Sequence, residues 1–354
     1  MRVAIVGFPY SGKTTLFTAI SGVQRDHLRS ADEILASVKV PEPRLDWLEE
    51  IYKPKKRTEA LMDFLDLPSS TEGETQHAGL SEHLPALRQS DAMLVVLRGF
   101  KSDSVTAHRN RIDPAADLGE LREEMLLTDM LICDSRIDKL ETSIPKANKD
   151  RDKLKHELAV LQRCREALRE EKPLTTVVQP GEEDRMLKSF GFLTQKPLIA
   201  AVNVNEDKAG AAAPFSDPHA FATIAVCAAI EAEIIQIEPQ DRPEFMAGYG
   251  ISALARDRII RACYDALNLI AFLTCGEDEV RAWPIPRGAT AVEAAGKIHS
   301  DLARGFIKAE TIHYEELRAA GSMRDAKAHN KMRMESKGYV VQDGDILNIK
   351  FNVS

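Results

Sequence analysis

The sequence predicts an α/β fold: a parallel sheet with crossover helices, an antiparallel helical hairpin inserted into it, and a small C-terminal α+β module. Three observations predict this. Short β-branched apolar runs alternate with stretches of helical periodicity. A G-x-x-x-x-G-K-[ST] motif follows the first run directly. Two long leucine-rich stripes, stepping by three and four, interrupt the alternation midway.

The first element, Arg2-Val3-Ala4-Ile5-Val6, is a short apolar run bounded by glycine and reads as a buried strand. Gly7-Phe8-Pro9-Tyr10-Ser11-Gly12-Lys13-Thr14 then fits the loop that wraps nucleotide phosphates. The glycines let the backbone turn its N–H groups toward phosphate oxygens. Tyr10, Ser11, Gly12, Lys13, Thr14 and Thr15 form the expected cradle, with Lys13 reaching the β/γ-phosphates and the Thr14 hydroxyl on Mg²⁺. Thr15 to Ile20 carries apolar residues at helical spacing, so the motif has its strand-loop-helix context. The chain is expected to bind a nucleoside triphosphate.

Further strands are expected at residues 36–40, 60–65, 92–98, 198–203 and 222–227. Between the two batches, Leu126, Met130, Cys133, Ile137, Leu140 and Ile144 form one stripe, and Leu154, Leu158, Leu161 and Leu168 form another. Pro145 and residues 149–152 break the pattern, and Pro173 ends it. Two helices folded back on each other result, an insertion spanning residues 116–185. The nucleotide-binding domain then comprises residues 1–115 and 186–271. In residues 272–354, two strand regions (280–285 and 340–349) flank a helix at 291–299, with Asp343-Gly344 turning the second into a hairpin. No nucleophile-base constellation is visible there, which points to a recognition module.

Composition narrows the function classes. With 354 residues the chain suffices for two or three domains. A net charge of −8 argues against wholesale coating of nucleic acid, so no DNA partner is expected. The first strand starts at residue 2, leaving no room for a signal peptide, and no apolar run approaches membrane-spanning length. Five scattered cysteines without C-x-x-C read as reduced thiols of a cytoplasmic protein. Lys327, Lys331, Arg333 and Lys337 form a basic cluster compatible with an anionic partner or a solvated helix face.

A phosphate loop needs an acidic metal partner at a strand end, and Ala60-Leu61-Met62-Asp63-Phe64-Leu65 offers Asp63 for Mg²⁺. Asn203-Val204-Asn205-Glu206, after the run 198–203, stands where the guanine-reading N-K-x-D is expected. Asn203 and Glu206 are the base-site candidates. With Val for Lys and Glu for Asp, strong selection for guanine is hard to sustain.

These motifs, with Val40-Pro41-Glu42-Pro43-Arg44-Leu45-Asp46, Gly276-Glu277-Asp278-Glu279-Val280-Arg281-Ala282-Trp283, Arg304-Gly305-Phe306-Ile307-Lys308-Ala309-Glu310 and Tyr339-Val340-Val341-Gln342-Asp343-Gly344-Asp345, resemble the Obg-like ATPases of the YchF family. The resemblance spans essentially the whole chain. It implies a P-loop GTPase-like fold with the helical insertion, a C-terminal TGS-type β-grasp domain, ATP (or GTP) as ligand with Mg²⁺, and a cytoplasmic role in contact with the ribosome or its RNA.

Departures from the family pattern cluster on the γ-phosphate side. Tyr10 replaces an Asn that helps hold a catalytic potassium ion in related GTPases. Ser30 aligns with the Mg²⁺-ligating switch Thr, and Arg29 with a family Cys. Read as D-x-x-G, Asp63-Phe64-Leu65-Asp66 puts a carboxylate at the glycine's place. Like charges about 5 Å apart at a dielectric near 20 repel by roughly 3 kcal/mol, which would favour diphosphate over triphosphate unless the switch sits farther away or Asp66 faces the metal or solvent. Leu67 falls at the place of the water-orienting Gln. The family's candidate catalytic His aligns with Ala107; the adjacent His108 could substitute only if the loop slips by one residue, and is otherwise read as an exposed loop residue without catalytic role. The glycine-rich stretch is eroded to Thr71-Glu72-Gly73-Glu74-Thr75. Lys13, Thr14 and Asp63 nonetheless favour a slow ATPase/GTPase, with Lys13 and Asp63 carrying catalysis. The alternative is a nucleotide-binding interaction module with little or no hydrolysis.

Overall fold

The computed structural model of the chain describes residues 1–23, 33–67, 80–146, 149–179 and 181–352. Among them the strands are β1 (Arg2–Val6), β2 (Ile34–Lys39), β3 (Lys56–Thr58), β4 (Leu61–Asp66), β5 (Ala92–Arg98) and β6 (Leu198–Asn203). They continue as β7 (Ala222–Val226), β8 (Leu269–Thr274), β9 (Glu279–Pro286), β10 (Phe306–His313), β11 (Arg333–Glu335) and β12 (Asp345–Phe351). The longer helices are α1 (Lys13–Ser21), α2 (Arg44–Tyr52), α3 (Pro114–Ser143), α4 (Arg151–Arg169), α5 (Ala228–Gln236), α6 (Ala255–Ala266) and α7 (Ala291–Ile298). The chain divides into two compact units, one of Met1–Ser37 with Asp63–Cys263, the other of Val38–Met62 with Tyr264–Ser354.

The first unit is built on a six-stranded sheet in the order β2-β4-β1-β5-β6-β7. The ladders of β1 with β4 and β5, and of β6 with β5 and β7, are parallel. Every residue of β5 and β6 is buried, as the unbroken apolar runs require of strands covered on both faces. Parallel pairing brings the carboxyl ends of β1, β4, β5 and β6 to one edge, where ligands of open α/β sheets bind.

The insertion forms as the leucine stripes predict. Helix α3 is 30 residues, about 45 Å long at 1.5 Å per residue, and α4 packs back along it. Cys133, Ile137 and Leu140 meet Leu161, Cys164 and Leu168 in a buried apolar seam. Arg136 clamps Glu157 through Nε and Nη2 at 2.7 and 3.0 Å, and Arg165 faces Asp134, a pairing that fixes the antiparallel sense. Burial pushes the Cys133 thiol up to about 12 and the Cys164 thiol to about 11, in keeping with packing cysteines. At the base of the hairpin, fully buried Asp129 accepts from the Leu193 and Thr194 amides and the Thr194 hydroxyl (2.9, 2.7 and 2.7 Å). That carboxylate joins α3 to the segment feeding β6.

The second unit has its own mixed sheet, ordered β11-β10-β12-β8-β9-β3. It departs from the sequence reading in two ways. Residues 340–349 are not a hairpin: Val340 makes only a bridge to Thr290, and β12 pairs antiparallel with β10 and parallel with β8. The unit also does not begin at residue 272. Strand β8 starts at Leu269, and residues 38–62 belong here as well. Strand β3 pairs with β9, Leu45 and Leu48 of α2 enter the core beside Leu273, Val280 and Ile312, and the Arg44 guanidinium bridges Glu42 and Asp343. Helix α7 opens with a reciprocal capping box between Thr290 and Glu293.

Candidate functional site

The phosphate loop leaves β1 at Val6 and enters α1 at Lys13. Two of its positions demand glycine. A Cβ on Gly7 would sit 2.3 Å from the Val96 carbonyl oxygen, and one on Gly12 would sit 2.2 Å from Asn203 Nδ2. Gly12 also has φ +94°, in the region L side chains avoid. Ser11 is buried, Tyr10 is exposed, Thr14 is half-buried and Thr15 exposed. Lys13 is largely buried and its ammonium donates to the Gly7 and Phe8 carbonyls at 2.8 and 3.1 Å. The lysine is thus already curled over the loop, its charge held where phosphate oxygens would meet the amino end of α1.

Asn203, the last residue of β6, connects three elements. Its Nδ2 donates to the Ser11 carbonyl and its Oδ1 accepts from the Ala228 amide at the start of α5, both at 3.1 Å. It therefore ties the phosphate loop to the loop after β7. Val204 is buried, whereas Glu206 opens an exposed helical turn, Glu206–Lys208. Both follow the carboxyl end of β6.

The register of β4 overturns the reading of Asp63. Arg2 lies opposite Asp63 and Ile5 opposite Asp66, so Asp66 stands at the edge where the phosphate loop begins. Asp63 lies three residues back, about 10 Å down the strand. Its Oδ1 accepts from Ser37 Oγ at 2.5 Å instead of facing the loop. Asp66 is fully buried. The motif therefore starts at Asp66 and reads Asp66-Leu67-Pro68-Ser69, and the glycine's place falls to Ser69. With this shift Asp66 is no departure from the motif, which itself begins with an acid. Ser30, Arg29, Ser69 and residues 71–75 lie outside the described residues.

His108 is a second correction. It is not an exposed loop residue: its ring lies parallel to that of Phe8 in the phosphate loop, centroids 3.7 Å apart at 6°. Its Nε2 pairs with Glu120 Oε2 on α3 at 2.9 Å. Partial burial would raise Glu120, but His108, Arg109 and Arg111 outweigh it and hold its carboxyl below the ordinary range. Neighbouring Asp117 is buried, and burial raises its carboxyl despite His108 and Arg111. Ligand atoms of His108, Asp117 and Glu120 lie within 4.8 Å of one another. The guanidiniums of Arg109 and Arg111 already face these carboxylates, which makes the group a salt-bridged clamp. Sequence reasoning missed Arg98, whose buried guanidinium donates to the carbonyls of Phe100, Val105 and Thr106 and shapes the approach to His108. A charged residue ending an apolar strand was its only signal.

Comparison with known proteins agrees along the whole chain. Residues 2–132 match a family model described as 50S ribosome-binding GTPase. Residues 269–352 match the YchF-GTPase C-terminal model, described as a protein of unknown function. The ribosome-binding ATPase YchF of Bacillus subtilis strain 168 is 36% identical over 374 residues, covering 100% of both chains. The protein of that name from Escherichia coli O157:H7 is 36% identical over 364 residues, covering 99% of each. The solved structure of the Schizosaccharomyces pombe YchF GTPase matches with a TM-score of 0.85 at 29% identity, covering 99% of this chain and 97% of that one. No described helix is long and apolar enough to cross a membrane.

Proposed function

Because this chain belongs to the YchF family, we propose that it is a Mg²⁺-dependent nucleoside triphosphatase that works in contact with the ribosome in the cytoplasm, accepts ATP at least as readily as GTP, and turns over slowly when alone. The observation that carries the reading is the arrangement at the carboxyl edge of the sheet: Lys13 held by loop carbonyls at the start of α1, with Asp66 ending the adjacent strand.

In this reading the phosphate loop and the amino end of α1 bind the diphosphate, and Lys13 neutralises charge on the β/γ-phosphates. Asn203 keeps the loop in register with the base site. The tight approach at Gly7 and Gly12 and the buried acid at Asp66 fit a Mg²⁺-nucleotide, with Thr14 and Asp66 as its protein partners and Ser30 added by resemblance. The metal supplies charge neutralisation of the phosphates when bound. Val204 and Glu206 remove the contacts that make guanine preferred. The ribosome enters through the names of the relatives.

A second reading, a nucleotide-binding module with little hydrolysis, is favoured by one observation: Ser69, not glycine, stands at the fourth place of the motif that begins at Asp66. Turnover under saturating Mg-ATP separates the two. Lone small GTPases run at about 10⁻⁴–10⁻³ s⁻¹, and a comparable rate abolished by Lys13→Ala supports the enzyme. ATP binding with no Lys13-dependent turnover supports the module. Competition between labelled ATP and GTP tests the base, and a hundredfold preference for GTP would reverse the assignment of Val204 and Glu206.

A further inference from the structure

We propose that His108 is a positioning residue of the nucleotide site: it braces the phosphate loop through Phe8, and Glu120 on the inserted hairpin sets the brace. The proposal rests on the phosphate-binding reading above.

Phe8 is the residue beneath the imidazole, and its carbonyl accepts from both Lys13 Nζ (3.1 Å) and the Ser11 amide (3.3 Å). Whatever fixes Phe8 therefore fixes one of the carbonyl oxygens that hold Lys13, the other being that of Gly7. Parallel contact between the two rings covers one face of Phe8, which is only 7% exposed. At its edge the imidazole is held through Nε2 by Glu120, itself gripped by Arg111 at 2.5 Å and Arg109 at 3.1 Å. The backbone on both sides of His108 is constrained. Arg98 gathers three carbonyls of the preceding loop, and Arg109 and Asn110 follow with φ of 49° and 55°. Successive left-handed non-glycine residues persist only where surrounding contacts over-determine them.

Glu120 lies on the first turns of α3, where Leu118, Leu121 and Met125 are packed in the core of the nucleotide unit. The same helix continues as one arm of the hairpin. The imidazole itself is assigned no contact with nucleotide, which separates this role from catalysis. A simple packing role would be served by any apolar side chain and would leave Glu120 without influence.

The test uses the full chain, fluorescent ADP and ATP with Mg²⁺, and steady-state turnover of His108→Ala, His108→Phe, Glu120→Gln and Lys13→Ala. Losing one aromatic stack predicts ADP and ATP affinities about fivefold weaker in His108→Ala. KM rises in proportion and kcat holds within about twofold, the signature of lost uniform binding. His108→Phe keeps the ring stack but cannot pair with Glu120, so it recovers only part of the lost affinity, and Glu120→Gln falls beside it; full recovery in His108→Phe with no loss in Glu120→Gln would show simple packing and overturn the proposal. If His108→Ala fails to fold, the His108→Phe and Glu120→Gln pair still decides, since both must weaken binding less than Lys13→Ala and Glu120→Gln must weaken it measurably. Unchanged affinity in His108→Ala and Glu120→Gln, with binding still lost in Lys13→Ala, overturns this proposal alone. A fall in kcat at constant affinity also overturns it, by making the imidazole catalytic. Failure of the wild type to bind either nucleotide overturns it together with the function beneath it.

Discussion

Two aspartates on one strand, Asp63 and Asp66, make opposite predictions, and the register of β4 decides between them. Asp66 ends the strand opposite Ile5, beside the phosphate loop, while Asp63 pairs with Arg2 and accepts from Ser37. Unit charges 4 Å apart at a dielectric near 20 interact by about 4 kcal/mol, so a carboxylate serving Mg²⁺ is worth two to three orders of magnitude in affinity. A carboxylate about 10 Å further along lies beyond the ~8 Å screening length at physiological salt and is worth less than a factor of about two. Fluorescent ADP titrated with Mg²⁺ and with EDTA separates the metal-dependent part of binding. In Asp66→Asn the gain from Mg²⁺ should shrink about a hundredfold while affinity in EDTA stays near wild type. Asp63→Asn should retain the gain. Thermal midpoints without nucleotide control for the buried Asp66 site, where Asn is nearly isosteric. Loss of the Mg²⁺ gain in Asp63→Asn, with Asp66→Asn unaffected, would refute the register argument.

Further outcomes are expected elsewhere. Tyr10 is 52% exposed, with φ 62°, and lacks the amide of the family's Asn, so replacing sodium by potassium should change turnover less than about twofold; a tenfold rise would restore a potassium site. Arg44→Ala leaves the buried Glu42 carboxylate without its guanidinium and should cost about 3–5 kcal/mol in urea unfolding, whereas a loss below about 1 kcal/mol would show the pair to be dispensable. Hydrogen bonds from the Thr290 amide and hydroxyl hold the Glu293 carboxyl below its ordinary range. The cap's contribution is therefore complete above about pH 4.3 and lost as pH falls through the lowered value. Protection factors of the α7 amides should drop on acidification in wild type and stay flat in Glu293→Gln, whose amide oxygen can accept the same bonds but does not titrate.

Much of this was legible in the residues, for identifiable reasons. Residues 92–98 and 198–203 are apolar without interruption because both faces of a central parallel strand are covered, so their positions carry over directly. The hairpin was equally plain because a long helix repeats its signal many times. Strand β3 was invisible: three residues, Lys56-Arg57-Thr58, with no apolar period, held by pairing to β9. Val340 and Val341 looked like a strand but spend their pairing on Thr290 and Ala289. In the site, Asp63-Phe64-Leu65-Asp66 offers two acids at motif spacing, and only the pairing with β1 says which reaches the loop. His108 was misread because its partners, Phe8 and Glu120, lie 100 residues before it and 12 after it, and no local pattern records a ring stack.

The partition of the chain has a consequence for how such a protein can be taken apart. The backbone passes from one unit to the other between residues 37 and 38, back between 62 and 63, and out again between 263 and 264. A module appended at one joint can be trimmed by a stop codon or traded by a single recombination. This one cannot, because β3 and α2 are encoded some two hundred residues upstream of the strands they complete. Residues 269–352 expressed alone would present the β9 edge unpaired and the Leu45 and Leu48 sites empty. The C-terminal unit is therefore inherited with the segment between Ser37 and Asp63, so lineages must keep or lose both together.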